Sequence, residues 1–152
     1  MMRIVHVECL PDEILVKKLG ITRKMVNHHS GKSRVFNKLR TSNNEIGMVD
    51  EDPGSIKTAF EQSLKFIKEA FGVKVFSDNR NNKILILSGK LEDWIITACK
   101  STGVNMNQFG LPDRPNDLHG IINHRLSSFE KLIDHLKENN NPSLALLKDL
   151  LK

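Results

Sequence analysis

The 152-residue chain has no tyrosine, one tryptophan, seven phenylalanines and two cysteines, and each scarcity closes a route. Aromatic residues at 5% leave few platforms for stacking nucleobases. Contact with nucleic acid is therefore expected to fall on the backbone, to weaken steeply with salt and to show little sequence preference. Cys9 and Cys99 stand far apart with no Cys-x-x-Cys spacing, which removes zinc knuckles and dithiol redox chemistry and leaves two reduced, structural thiols. No window approaches the roughly 18 consecutive apolar residues of a membrane span. The first nine residues lack the cationic stretch and long apolar segment of a signal peptide, so the expectation is a mature cytoplasmic chain with no membrane partner. Internal repeats, low-complexity segments and a Gly-x-Ser-x-Gly nucleophile elbow are absent as well.

Charge is present, and unevenly. The formal net charge is +5. From Lys17 to Arg40 there are eight basic residues (Lys17, Lys18, Arg23, Lys24, Lys32, Arg34, Lys38, Arg40) and no acidic one. The remainder sums to −3, a near-neutral body carrying one basic stretch that suits an anionic partner.

Hydrophobic patterning gives alternating strands and helices. Residues 3–8 read as a strand ending at Glu8, and Pro11-Asp12-Glu13 open a helix that Gly20 stops. A strand over 24–28, a turn at Ser30-Gly31 and a helix over 32–39 with Val35, Phe36 and Leu39 inward follow, then a strand over 45–50 that again ends at a carboxylate. Ser55 is placed as the N-cap of a helix to residue 71, with Phe60, Leu64, Ile67 and Phe71 on one face. Strands over 73–77 and 83–87 flank an Asp/Asn-rich turn, a helix spans 91–101, and a loop and helical tail carry Phe129, Leu132, Ile133 and Leu136. These tail residues either pack on the domain itself or form a seam with a second copy or a partner protein. The expected architecture is α/β in three layers: a mostly parallel central sheet with helices on both faces and a helical C-terminal tail. The whole chain, 1–152, reads as one domain, with an α/β core over 1–103 and an extension over 104–152.

In parallel sheets the site lies where the strands' carboxyl ends meet their loops, and that is where the acids fall. Asp50-Glu51-Asp52 leaves an apolar strand, and in extended backbone Asp50 and Asp52 face the same way while Glu51 faces elsewhere. Such a pair either caps a helix with solvated acids or holds a cation, and Mg²⁺ prefers one or two carboxylates, waters and phosphate oxygens. Glu8 ends the first strand and Asp12 follows four residues later, as a second ligand from the same loop or as a helix-dipole partner. Glu92 and Asp93 open the helix after the last strand, with Trp94 either packed in the core or bracing Glu92. Gly31-Lys32-Ser33 matches the end of a P-loop, but Val26 stands where the first glycine belongs. A single-phosphate contact at the helix start remains open. His28 and His29 face opposite ways on a strand and are assigned to the basic rim.

Taken in order, Val7-Glu8-Cys9, Asp12, Gly31-Lys32-Ser33, Asp50-Glu51-Asp52 and Leu91-Glu92 resemble the Toprim domain shared by topoisomerases, primases and related nucleases. The likeness is greatest to the compact domains of overcoming-lysogenisation-defect type nucleases and their small stand-alone relatives. The resemblance implies a Toprim/Rossmann-like sheet and a site that makes or breaks phosphodiester bonds with Mg²⁺ or Mn²⁺. It implies Glu8 as a ligand or general acid/base, Asp50 and Asp52 as the metal pair, and Asp12 and Glu92 as the further acids of two-metal members. Lys32 would sit near the scissile phosphate as a catalytic cation or on the nucleic-acid backbone, with Gly31, Ser33, Arg34, Lys38 and Arg40 holding nucleic acid. The family usually has glycine after the first glutamate, where this chain has Cys9, and without tyrosine the topoisomerase reaction is unavailable.

The expected function is that of a metal-dependent nuclease, a hydrolase acting on nucleic acid. The alternative is a non-catalytic module of the same fold that docks nucleic acid or another protein through its basic stretch.

Overall fold

The computed structural model describes residues 2–152. Its sheet has six strands: β1 (Val5–Val7), β2 (Val26–His28), β3 (Ile46–Asp50), β4 (Lys65–Ala70), β5 (Val73–Ser77) and β6 (Lys83–Leu87). They lie in the order β2-β1-β3-β6-β5-β4. The first four positions are parallel, while β5 runs antiparallel to β6 and β4 antiparallel to β5. The α-helices among the described residues are α1 (Leu10–Lys18), α2 (Lys32–Leu39), α3 (Ala59–Ser63), α4 (Leu91–Ser101), α5 (Pro115–Ile121), α6 (Leu126–Glu138) and α7 (Pro142–Leu150). None is long and apolar enough to cross a membrane.

Alternation along the strands divides the core. Val5, Val7, Ile46, Met48, Leu85 and Leu87 point to one face and pack with residues of α1, α4, α6 and α7. Val49, Ile84 and Ile86 point to the other and meet Val35, Phe36 and Leu39 of α2. Phe129, Leu132, Ile133 and Leu136 are fully buried in the larger cluster, so the amphipathic face of the tail is spent within the chain. Asn82, 1% exposed, ties the helix-to-strand connection below α2: its Nδ2 donates to the carbonyls of Leu39 and Ser42, and its Oδ1 accepts from the Glu45 amide.

Two expectations are corrected. The helix placed over 55–71 is not formed. Residues 51–58 are a loop, Thr58 rather than Ser55 caps the short α3 by accepting from the Glu61 amide, and residues 65–70 form the edge strand β4. The spacing of Phe60, Leu64, Ile67 and Phe71 suits a helix, but Phe71 and Gly72 both adopt positive φ (48° and 74°) and turn the chain into a β4–β5 hairpin. Trp94 Nε1 donates to the Phe71 carbonyl at 3.0 Å and fixes that turn. The strand placed over 24–28 begins only at Val26, because Arg23–Met25 close a 3₁₀ turn.

Helix α2 approaches the sheet over Gly47, where an added Cβ would stand 2.6 Å from Leu39 Cδ1 and 3.2 Å from Val35 Cγ1. Both neighbours are fully buried and have nowhere to move. Gly47→Ala is therefore expected to destabilise the chain by about 1–3 kcal/mol, the usual cost of overpacking, read as a lower urea midpoint at unchanged slope.

Candidate metal centre

Parallel pairing of β1 with β3 sets Val7 beside Met48, so the two strands end together and their next residues meet. Glu8 reaches across, its Oε2 accepting the Asp50 amide at 2.9 Å. Asp50 turns towards α4, where its Oδ1 accepts the Leu91 amide at 3.0 Å, a helix N-terminus where a carboxylate is stabilised. Asp12 lies in the first turn of α1 and is 1% exposed. Each of Glu8, Asp12 and Asp50 offers an oxygen within 4.8 Å of the others'.

Asp12 has one oxygen accounted for. Its Oδ2 accepts the Cys9 thiol at 3.1 Å, whereas Oδ1 is buried with no hydrogen-bond partner. A buried carboxylate oxygen left bare costs free energy unless something outside the chain satisfies it. Burial is also the main reason these acids bind protons more tightly than ordinary carboxylates. It pushes Asp12 up to about 7, with the charges of Glu8 and Glu92 adding to it. It pushes Asp50 up to about 8, with Asp12, Glu8 and Glu92 adding to it. Glu8 is raised by burial and partly relieved by the Asp50 amide and by Lys32. Burial and the charge of Asp12 keep the Cys9 thiol protonated, hence a donor.

The remaining expected residues fall into two groups. Near the trio stand Asp52, Glu92 and Lys32. Asp52 has φ +49°, so the extended alternation ends at Asp50 and Asp52 is not one of the three converging acids, although its charge raises Glu8 and Asp50. Glu92 is buried, with its Oε1 3.1 Å from His119 Nδ1. Lys32 opens α2 after Gly31 (φ +110°) and donates to the Glu51 carbonyl at 3.1 Å, with Glu61 at 3.6 Å. Glu51 does face elsewhere, as expected: its carboxylate takes Lys74 and the Gly89 amide, which holds it below the usual carboxylate range.

Helix α2 splits the basic stretch. Ser33, Asn37 and Arg40 line a groove against α3, while the charges of Arg34 and Lys38 act on His29. His29 is not a simple member of a basic rim. Its Nε2 lies 2.9 Å from Nδ1 of the fully buried His6, whose Nε2 meets Glu45 at 2.7 Å. Trp94 packs in the core and braces the hairpin turn rather than Glu92.

Two contacts were missed from sequence. Cys9 and Asp12 have the N-cap and N3 spacing of a capping box, a signal that was there to use. The approach of His119 to Glu92 from 27 residues away has no local signature. Comparison of the chain with protein-family models, curated proteins and solved structures finds no match.

The protonated acids fix a pH dependence. Asp12 and Asp50 bind protons more tightly folded than unfolded, so in the metal-free chain their contribution to stability is fully present below about pH 4, falls as pH rises through 7 to 8, and is lost above. The loss should amount to a few kcal/mol. Asp50→Asn, which cannot ionise, should raise the melting temperature in EDTA at pH 8 and flatten its pH profile.

Proposed function

We propose that the chain is a divalent-metal-dependent phosphodiesterase of the Toprim type, built in three Rossmann-like layers and acting on nucleic acid. One observation carries the reading: Asp12 Oδ1, buried and unpartnered, belongs to a trio of carboxylates whose oxygens lie within 4.8 Å of one another. Three acids held this close repel one another unless protons or a cation lie among them, and a hard dication with oxygen ligands fits that donor set. Glu8, Asp12 and Asp50 would hold Mg²⁺ or Mn²⁺, with Asp52 and Glu92 close by as further acids.

When bound, such an ion polarises a phosphoryl oxygen and makes water a better nucleophile at neutral pH. The chain's own residues do the rest. Glu8 keeps one oxygen on the Asp50 amide, which fixes the orientation in which its carboxylate would meet the ion. Lys32 donates one N–H to the Glu51 carbonyl and pairs with Glu61 at 3.6 Å, leaving a donor for a phosphate oxygen. Lys32 stands at the start of α2, directly after the Gly31 turn. The Asp50 link to the α4 N-terminus fixes one wall of the site against movement during the reaction.

Calorimetric titration with Mn²⁺ tests the reading directly. Wild type should bind with proton release near pH 7. Glu8→Gln, Asp12→Asn and Asp50→Asn should each weaken binding by at least about tenfold and abolish Mn²⁺-dependent cleavage of a phosphodiester. Asp149→Asn, in an exposed ion pair with Lys152, should change neither. Undiminished binding by Asp12→Asn would refute the assignment.

A further inference from the structure

We infer that the groove between α2 and α3 is the path by which a single strand of nucleic acid reaches the carboxylate site, a reading that rests on the phosphodiesterase function proposed above. Ser33, Asn37 and Arg40, at i, i+4 and i+7, form one wall of this cavity of about 400 Å³, and Thr58, Ala59 and Ser63 stand opposite. Phe36 and Phe60 form its floor, with ring centroids 5.1 Å apart. No carboxylate lines it. The groove continues, past Arg40, into a second hollow of about 300 Å³ that reaches Arg80. The one acid there, Asp78, is spent on the amides of Arg80 and Asn82 and on the Asn82 side chain.

Charge and unused donors name the occupant. Arg40 and Arg80 are exposed, and Arg80 makes only a long 3.5 Å contact, to Asn43. Among the described residues, the side chains of Ser33, Asn37 and Arg40 make no hydrogen bond, although each can donate. At its upper end the groove reaches Ser33, next to Lys32, whose charge acts on Glu8. A polyanion lying along this wall has Arg40 and Arg80 at its far end and neutral donors along it, with Lys32, paired to Glu61, between its upper end and the acid trio. From Ser33 to Arg40 the helix rises about 10 Å, room for about three phosphates of a stacked strand at about 3.4 Å each.

The dimensions select one strand over two. A cavity of this size fits a nucleotide-scale ligand, and its two helical walls would hold a duplex at the rim. Phe60, half-buried on the floor, offers a single apolar rest for a base, consistent with binding dominated by the backbone.

The test is fluorescence anisotropy of a labelled 15-nucleotide single strand and the matching duplex, in EDTA so that no metal takes part. The single strand should bind more tightly than the duplex. R40E/R80E should weaken it at least tenfold and reduce the slope of log K against log salt by about 1.4, two phosphates at about 0.7 each. A59W, which fills the groove without changing charge, should also weaken it. K100E/K131E, an equal charge change at exposed sites outside the groove, should stay within about twofold of wild type, by the salt-screened, position-dependent nature of these contacts. Equal loss in K100E/K131E, a duplex bound as tightly as the strand, or unchanged binding by A59W with its fold confirmed by melting would each overturn the path. Failure of Mn²⁺ to bind would instead remove the metal centre, and the two results are read in separate experiments.

Discussion

Mutual repulsion among Glu8, Asp12 and Asp50 is the constraint around which the sheet's carboxyl edge is arranged. Parallel pairing of β1 and β3 forces the strand-end acids together, and each is held by a contact that a relaxed loop would not maintain. Glu8 takes the Asp50 amide, Asp50 the first amide of α4 and Asp12 the Cys9 thiol. The neighbouring loops are joined as well. Glu51 accepts from the Gly89 amide while the Asp52 amide donates to the Gly89 carbonyl, and Gly89 leaves no room for a side chain, since a Cβ there would lie 2.7 Å from the Asp93 carboxylate. With both loops fixed, the acids cannot splay apart to relieve their charge. Protons are the remaining relief within the chain: burial first, and this repulsion added to it, make Asp12 and Asp50 hold theirs near neutrality.

Under the function proposed above, the acids would need compensating charge placed so that it attracts a polyanion without neutralising the carboxylates. Helix α2 would meet both demands by geometry. Its first residue, Lys32, is engaged at the site, and its last turn delivers Arg40 at the far end of the groove. Arg34 and Lys38 lie on a different side of the same helix, where they act on His29. The +8 stretch is therefore not one patch, because a 3.6-residue period distributes consecutive cations around an axis.

The parts of the fold set by local rules were legible from sequence. Strands β3, β5 and β6 and helix α4 announce themselves by apolar periodicity and turn residues, and Glu8, Asp12 and Asp50 are found where strand ends and a helix start must be. Residues 55–71 were not legible, because Phe60, Leu64, Ile67 and Phe71 satisfy a helical spacing while Lys65–Ala70 also suits a strand. Pairing with β5 and the Trp94 bond to the hairpin turn, both tertiary, decide between them. Inside the site, the same limit applies. Residue type and spacing suggest which acids meet, but the burial that leaves Asp12 Oδ1 bare depends on what packs over α1, and nothing local encodes it.

What packs over α1 is the C-terminal extension, and this gives the tail a part in the site's construction. Lys18 pairs with Asp134 of α6, and Lys137 donates to the Lys18 carbonyl, so the end of α1 opposite Asp12 is tied to α6. Phe129, Leu132, Ile133 and Leu136 complete the cluster that buries Ile14, Leu15 and Val16. On the other side of the site, His119 of α5 meets the buried Glu92, and Asn141 ties the start of α7 to the end of α4 through the Ala98 carbonyl. The two helices whose first turns face the acids are thus both held from behind by residues beyond 103. A sheet with its strand-end loops could bring Glu8 and Asp50 together unaided. His119 on Glu92 and α6 on α1 are both contributions from beyond residue 103, so the extension and the sheet together hold the helices that carry the acids.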